Sequence, residues 1–233
     1  MSARLFAGGC LTPTQWAGLV AGASFAVPAL AALWFRVQSP SQRIIAAYCG
    51  LGFAQSMYLI LLATSGRHNL WLVHFFVPVQ GAMFLWALAL WQARERARVT
   101  ILMAIPLFLA TWLGLTLSVE SFQTLPRYVK IIEGLLVVAI AAYTLVTRSQ
   151  HITGQVTAHA WFWVSAALVM YLSFGSILNP ISSLLLPLAP ERVSLMYRMN
   201  GVLLILCNLL FARAMACGAS SPVPDDLRSR AAA

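Results

Sequence analysis

The chain has 233 residues, 61% of them hydrophobic and only 9% charged, whereas about a quarter of residues are charged in soluble domains. With a mean hydropathy of +0.81, this excludes an ordinary soluble domain and points to a polytopic membrane protein. The net charge of +9 does not indicate nucleic acid: the 14 arginines and one lysine stand singly between apolar runs, with no dense basic patch or recognition motif.

The predicted fold class is all-α, with seven transmembrane helices of about 20 residues each, the length that crosses a bilayer. In chain order the spans are 16–35, 44–64, 70–91, 99–119, 128–147, 159–180 and 193–216. They form one domain, 1–218, followed by a polar tail, 219–233. The first span carries Gly18 and Gly22, a small-xxx-small pair that lets another helix approach closely. It is longer than a signal-peptide apolar region and no small-residue cleavage site follows it, so it reads as a retained helix. Cys10 follows Ala-Gly-Gly, but the residues before it lack the hydrophobic region of a lipidation signal.

The connection 36-RVQSPSQR-43 leads into the second span, which carries Gln55 and Tyr58. The third span holds His74, Pro78 and Gln80, and the arginine-rich stretch 92-QARERAR-98 precedes the fourth, which contains Pro106. The fifth opens with Tyr128, Lys130 and Glu133; the two charged residues are three apart and so share a helix face. The sixth ends with Asn179 and Pro180, where the proline is predicted to stop the helix and leave 181–190 as an interfacial segment. The seventh carries Tyr197, Arg198, Asn200 and Asn208. The tail, 219-ASSPVPDDLRSRAAA-233, lacks amphipathic pattern and is expected to be disordered on its own.

Short connections make successive helices antiparallel neighbours, and basic residues then set the orientation. Arg4, Arg67, Arg127, Lys130, Arg192 and Arg198 fall on one side. Arg36, Arg43, Arg94, Arg96, Arg98, Arg148, Arg213, Arg228 and Arg230 fall on the other. The expectation is an N-terminus outside and a cytoplasmic C-terminus, which places the tryptophans 16, 71, 34, 91, 161 and 163 at the two interfaces.

That orientation gathers polar side chains in the outer half of the membrane, where they are costly and normally face the interior of the helix packing or water. The candidate ligand pocket is therefore His74, Glu133, Lys130, Asn200, Arg198, Asn179 and Gln55. A structural reading stands beside it, because interhelical hydrogen bonds from such residues are routine in membranes and Lys130 can simply neutralise Glu133. His74 or His159 is a candidate ligand for a tetrapyrrole metal.

Several chemistries lack their residues. A retinal protein needs a Schiff-base lysine, usually in the seventh span, and the only lysine lies in the fifth. The four histidines show no HxxxH or HExxH spacing, so no metal cluster is expected. There is no GxSxG nucleophile turn, no phosphate- or dinucleotide-binding loop, and the four cysteines imply no disulfide framework. A proton pathway would need titratable groups through the whole thickness, and no internal repeat suggests a carrier, so transport ranks behind lateral association and ligand binding.

The sequence thus predicts a non-enzymatic heptahelical protein acting by lateral association. Such a protein would be an accessory or structural subunit of a larger membrane complex, photosynthetic or respiratory. The alternative is a small-molecule binding or sensing protein using the outer pocket. The expected partners are membrane lipids and other integral membrane subunits rather than nucleic acid, with lipid or a tetrapyrrole pigment as cofactor. An Ala-, Arg-, Leu- and Trp-rich composition suits a GC-rich bacterium, and the expected location is its inner membrane.

Overall fold

The computed structural model describes residues 13–37, 39–65, 70–120, 122, 126–152, 154–185 and 190–217. Eight α-helices follow one another among them: α1 (Pro13–Ala23), α2 (Ala26–Trp34), α3 (Pro40–Thr64), α4 (Leu70–Leu90), α5 (Glu95–Ser118), α6 (Tyr128–Ser149), α7 (Ala160–Leu185) and α8 (Pro190–Ala216). A 3₁₀ turn at Val156–Ala158 precedes α7, and no strand occurs among the described residues. Seven segments are long and apolar enough to cross a membrane, because α1 and α2 together make one span, Trp16–Trp34. The protein is all-helical, as its composition requires; Cys10 and the tail 219–233 lie outside the described residues.

The break within the first span has a local cause. Pro28 has no N–H to donate to the Ser24 carbonyl, and its ring crowds that position. Ser24 and Phe25 accordingly leave the α-helical pattern, and Val27 N–H donates to Ser24 O at 3.1 Å instead. The opening is used in packing. Asn208 of α8 donates from Nδ2 to Ser24 Oγ at 2.7 Å, while that hydroxyl donates to Ala21 O at 2.6 Å. Phe25 points inward and meets Tyr48 edge-on at 5.8 Å.

Pro180 does not stop its helix, as the sequence pattern suggested: the backbone of α7 runs five residues further, to Leu185. A proline inside a helix removes one backbone bond and bends the chain, and in a membrane segment the neighbouring helices tolerate this more readily than a helix end.

The packing closes on itself. The first span contacts α3, α3 contacts α4, α4 contacts α6, α6 contacts α7, α7 contacts α8, and α8 returns to α1 and α2. The α5 helix lies outside this circuit, against α4 and α6. Burial follows the arrangement: 56% of the apolar window of α4 is buried, against 17% for α5. Tyr48 occupies the centre, its ring 4.4 Å from Phe84 of α4 and 6.5 Å from Phe211 of α8.

Polar latches fix one end of this core. Gln42 donates from Nε2 to Ala214 O at 2.7 Å and to Cys217 O at 3.1 Å, at the end of α8, where carbonyls run short of helical donors. Gln92 donates to Thr144 Oγ1 at 2.8 Å, and Arg148 Nε donates to Trp91 O, joining the end of α4 to that of α6.

Candidate functional site

The polar residues of the sequence pattern divide into two groups rather than one pocket. In the first, α4 and α6 face each other across a buried ion pair. Lys130 Nζ lies 2.8 Å from Glu133 Oε2 and donates to Gln80 Oε1 at 3.4 Å. Both Glu133 and His74 are completely buried, whereas the Lys130 side chain is 21% exposed. Glu133 Oε1 has no hydrogen-bond partner among the described residues. Such a carboxylate depends on its single cation, because an uncompensated buried charge is strongly destabilising.

His74 is organised from its backbone outward. Pro78, four residues on, leaves the His74 carbonyl without its helical donor. Trp112 of α5 fills the vacancy, donating from Nε1 to His74 O at 3.1 Å. The imidazole packs edge-on against Phe122 at 5.2 Å, and its Nδ1 lies 3.9 Å from Glu120 Oε2. The other oxygen of Glu120 accepts the backbone N–H groups of Arg127, Tyr128 and Val129 at 2.8, 2.7 and 3.3 Å. A carboxylate there meets both the unpaired donors and the positive end of the α6 dipole. Glu120 therefore caps the start of α6 with one oxygen and brings the other near His74 of α4, at 3.9 Å, beyond hydrogen-bond distance. Trp112→Phe is expected to cost about 1 kcal/mol, one buried hydrogen bond, read as a lower midpoint of unfolding in mild detergent; an unchanged midpoint would show that water satisfies that carbonyl.

The second group lines a groove of about 400 Å³ between α1, α3 and α8. Gly18 and Gly22 form one wall, Ser56 contributes from α3, and Tyr197, Arg198 and Asn200 come from α8. Gly22 is a true contact, since a Cβ there would stand 2.8 Å from Ser56 Cβ, whereas one at Gly18 would meet nothing within 4 Å. Arg198 is exposed and Asn200 half-buried. The Asn200 amide faces the Tyr171 phenol of α7, and its Oδ1 is buried without a partner among the described residues. Tyr197 OH lies 3.3 Å from Ser182 Oγ, linking α8 to α7.

Gln55 is half-buried on α3, beside Ser56. The side chain of Asn179 falls outside what the structure describes. His159 is half-buried at the start of α7, stacked 6.0 Å from Trp161. Among the described residues no three His, Cys, Asp or Glu side chains converge as metal ligands.

Sequence reasoning missed Glu120 and Trp112. Glu120 read as a connection residue, because a carboxylate eight residues before α6 matches no capping pattern, in which the side chain stands at the N-cap or three residues on. Trp112 read as one more apolar residue, although a tryptophan buried in a membrane needs an acceptor and Pro78 supplies one.

No protein-family model, curated protein or solved structure matches this chain.

Proposed function

We propose that this is a non-catalytic, multi-pass protein of a bacterial inner membrane that works by lateral association, as an accessory subunit of a larger membrane assembly. The arrangement invoked is an antiparallel bundle with its N-terminus outside and its C-terminus in the cytoplasm, in which the His74–Glu120 and Lys130–Glu133 contacts lie in the outer leaflet. Those polar groups support the reading by being enclosed: Glu133 pairs with Lys130, Glu120 caps α6, and neither Glu133 nor His74 has exposed surface.

One observation carries the proposal. Trp71, Phe75 and Phe122 are 40%, 50% and 37% exposed, and with Trp112 they form a chain of ring contacts at 5.7 to 6.3 Å. A separate apolar ridge runs along α5 through Leu117, Leu113, Leu107 and Met103, each about half exposed or more, on a face turned away from Trp112. Trp71 stands at the end of its helix, where aromatic belts gather rings, but Phe75 and Trp112 lie a turn or more further in, where lipid tails as apolar as leucine give no reason to cluster them. Rigid aromatic anchors and apolar ridges are what an interface core uses. Extraction from native membranes in mild detergent is expected to recover the protein with partner subunits in fixed stoichiometry, and Phe75→Ala with Leu107→Ala is expected to release them. A monodisperse single species from native membranes would count against the proposal.

A second reading rests on the groove between α1, α3 and α8. Arg198 and Asn200 both line it, which suits a small ligand with an anionic and a polar group. A metabolite screen by thermal shift, repeated on Asn200→Leu, tests it: the groove binds nothing specific if every stabilising compound acts equally on both proteins.

A further inference from the structure

The two sides of the groove between α1, α3 and α8 differ in chemistry. On the α1 side stand Ala17, Gly18, Ala21 and Gly22, none with more than a methyl group. This wall meets α3 at Gly22, where a Cβ would stand 2.8 Å from Ser56 Cβ. It meets α8 at Gly201, where a Cβ would stand 3.6 Å from Ala21 Cβ and 3.8 Å from Ala17 O. A Cβ on Gly18 would meet nothing within 4 Å, so the wall is free there. From Ala17 to Gly22 it is about 7.5 Å long, at 1.5 Å per residue.

On the other side α8 contributes Tyr197 and Arg198. Tyr197 is engaged with Ser182. Arg198 is exposed and has no hydrogen-bond or ion-pair partner among the described residues, and no carboxylate lines the groove. The membrane-length segment of α8 begins at Glu191, which places Arg198 about two turns inside it. A charge at that depth is costly and is normally paired, so an unpaired one marks a site.

We infer that the groove binds a small aromatic carboxylate, its ring flat on the α1 wall and its carboxylate against Arg198. The inference rests on the second reading above, that the groove is a ligand site, and names the class of ligand. Charge, shape and length select it together. A guanidinium without an acid calls for an anion, and its planar fork matches a carboxylate. A wall with nothing beyond methyl groups offers a flat apolar face, on which a planar ring makes contact over its whole area. About 7.5 Å accommodates one ring with its carboxyl group, and not the acyl chain of a membrane lipid.

The test is thermal unfolding of the full chain in an uncharged detergent, titrated with benzoate. Benzamide serves as the uncharged counterpart and heptanoate as the flexible acid with the same number of carbons. Benzoate is expected to raise the midpoint at concentrations where the other two do not. Arg198→Gln is expected to weaken benzoate about tenfold, the loss of a charge-assisted hydrogen bond. Gly18→Leu, which fills the trough and leaves the charge, is expected to abolish the shift. Its midpoint without ligand should equal or exceed that of the wild type, because a Cβ there meets nothing and leucine favours a helix over glycine. An equal shift from benzamide, or an undiminished benzoate shift in either variant, would overturn the inference. So would an equal, Arg198-dependent shift from heptanoate, which would keep the groove as a ligand site of another class. Stabilisation by none of the three, nor by any metabolite, would remove both the inference and the reading beneath it.

Discussion

Glu133→Ala is expected to destabilise the folded protein by about 3–5 kcal/mol, the cost of stranding one member of a buried ion pair. Lys130 Nζ would lose its partner at 2.8 Å and keep only Gln80 Oε1 at 3.4 Å. Because the Lys130 side chain retains 21% exposure, it can turn toward the head groups, which places the result near the lower end of that range. Glu133→Gln keeps an acceptor for the ammonium and is expected to lose less. The paired change Glu133→Leu with Lys130→Met removes both charges and is expected to recover most of the loss, since an apolar pair of similar volume often replaces a buried ion pair at little cost. Unfolding in graded denaturing detergent measures all three. A double variant that loses as much as Glu133→Leu and Lys130→Met measured singly and added together would show that the residues do not act as a pair.

Gly134→Ala, one residue further along α6, is expected to cost about 1–3 kcal/mol through overpacking. A Cβ at this position would lie 1.7 Å from Ser176 Oγ, 3.1 Å from Ser176 Cβ and 3.3 Å from the Leu172 carbonyl of α7. The hydroxyl of Ser176 already donates to Leu172 O at 2.7 Å, so swinging it aside breaks a bond, and the backbone contact would remain. Helices α6 and α7 would have to separate just where Glu133 is held. Adding Ser176→Ala is expected to restore part of the stability, because it removes the nearest atom but not the Cβ or the carbonyl. A Gly134→Ala protein as stable as the wild type would mean that α6 and α7 pack less closely than described.

Much of the fold was legible because bilayer length and residue hydropathy are properties of a single segment. Six spans coincide with single helices to within a few residues, and the first was read as one crossing although Pro28 divides it. The candidate site was legible only in its vocabulary. Lys130 and Glu133 pair as their spacing on one helix face suggests. The candidate residues take different places: Asn200 and Arg198 line a groove with α1 and α3, while His74 and Glu133 are buried in α4 and α6. Glu120 escaped notice because its role depends on a turn of chain bringing a connection residue back over the start of α6.

By itself, the sequence determined the number of membrane-length helices and the handful of polar side chains among them. Each follows from the cost of placing a given segment in hydrocarbon, which requires no knowledge of its neighbours. Only the tertiary structure decided which polar groups meet, which are closed off and which line an open groove. Those outcomes depend on how each helix is rotated and on how closely Gly22 and Gly134 let neighbours approach. A rotation of one helix by a third of a turn would leave the hydropathy pattern intact and break that helix's contacts with its neighbours, sparing only pairs within one helix such as Lys130 and Glu133.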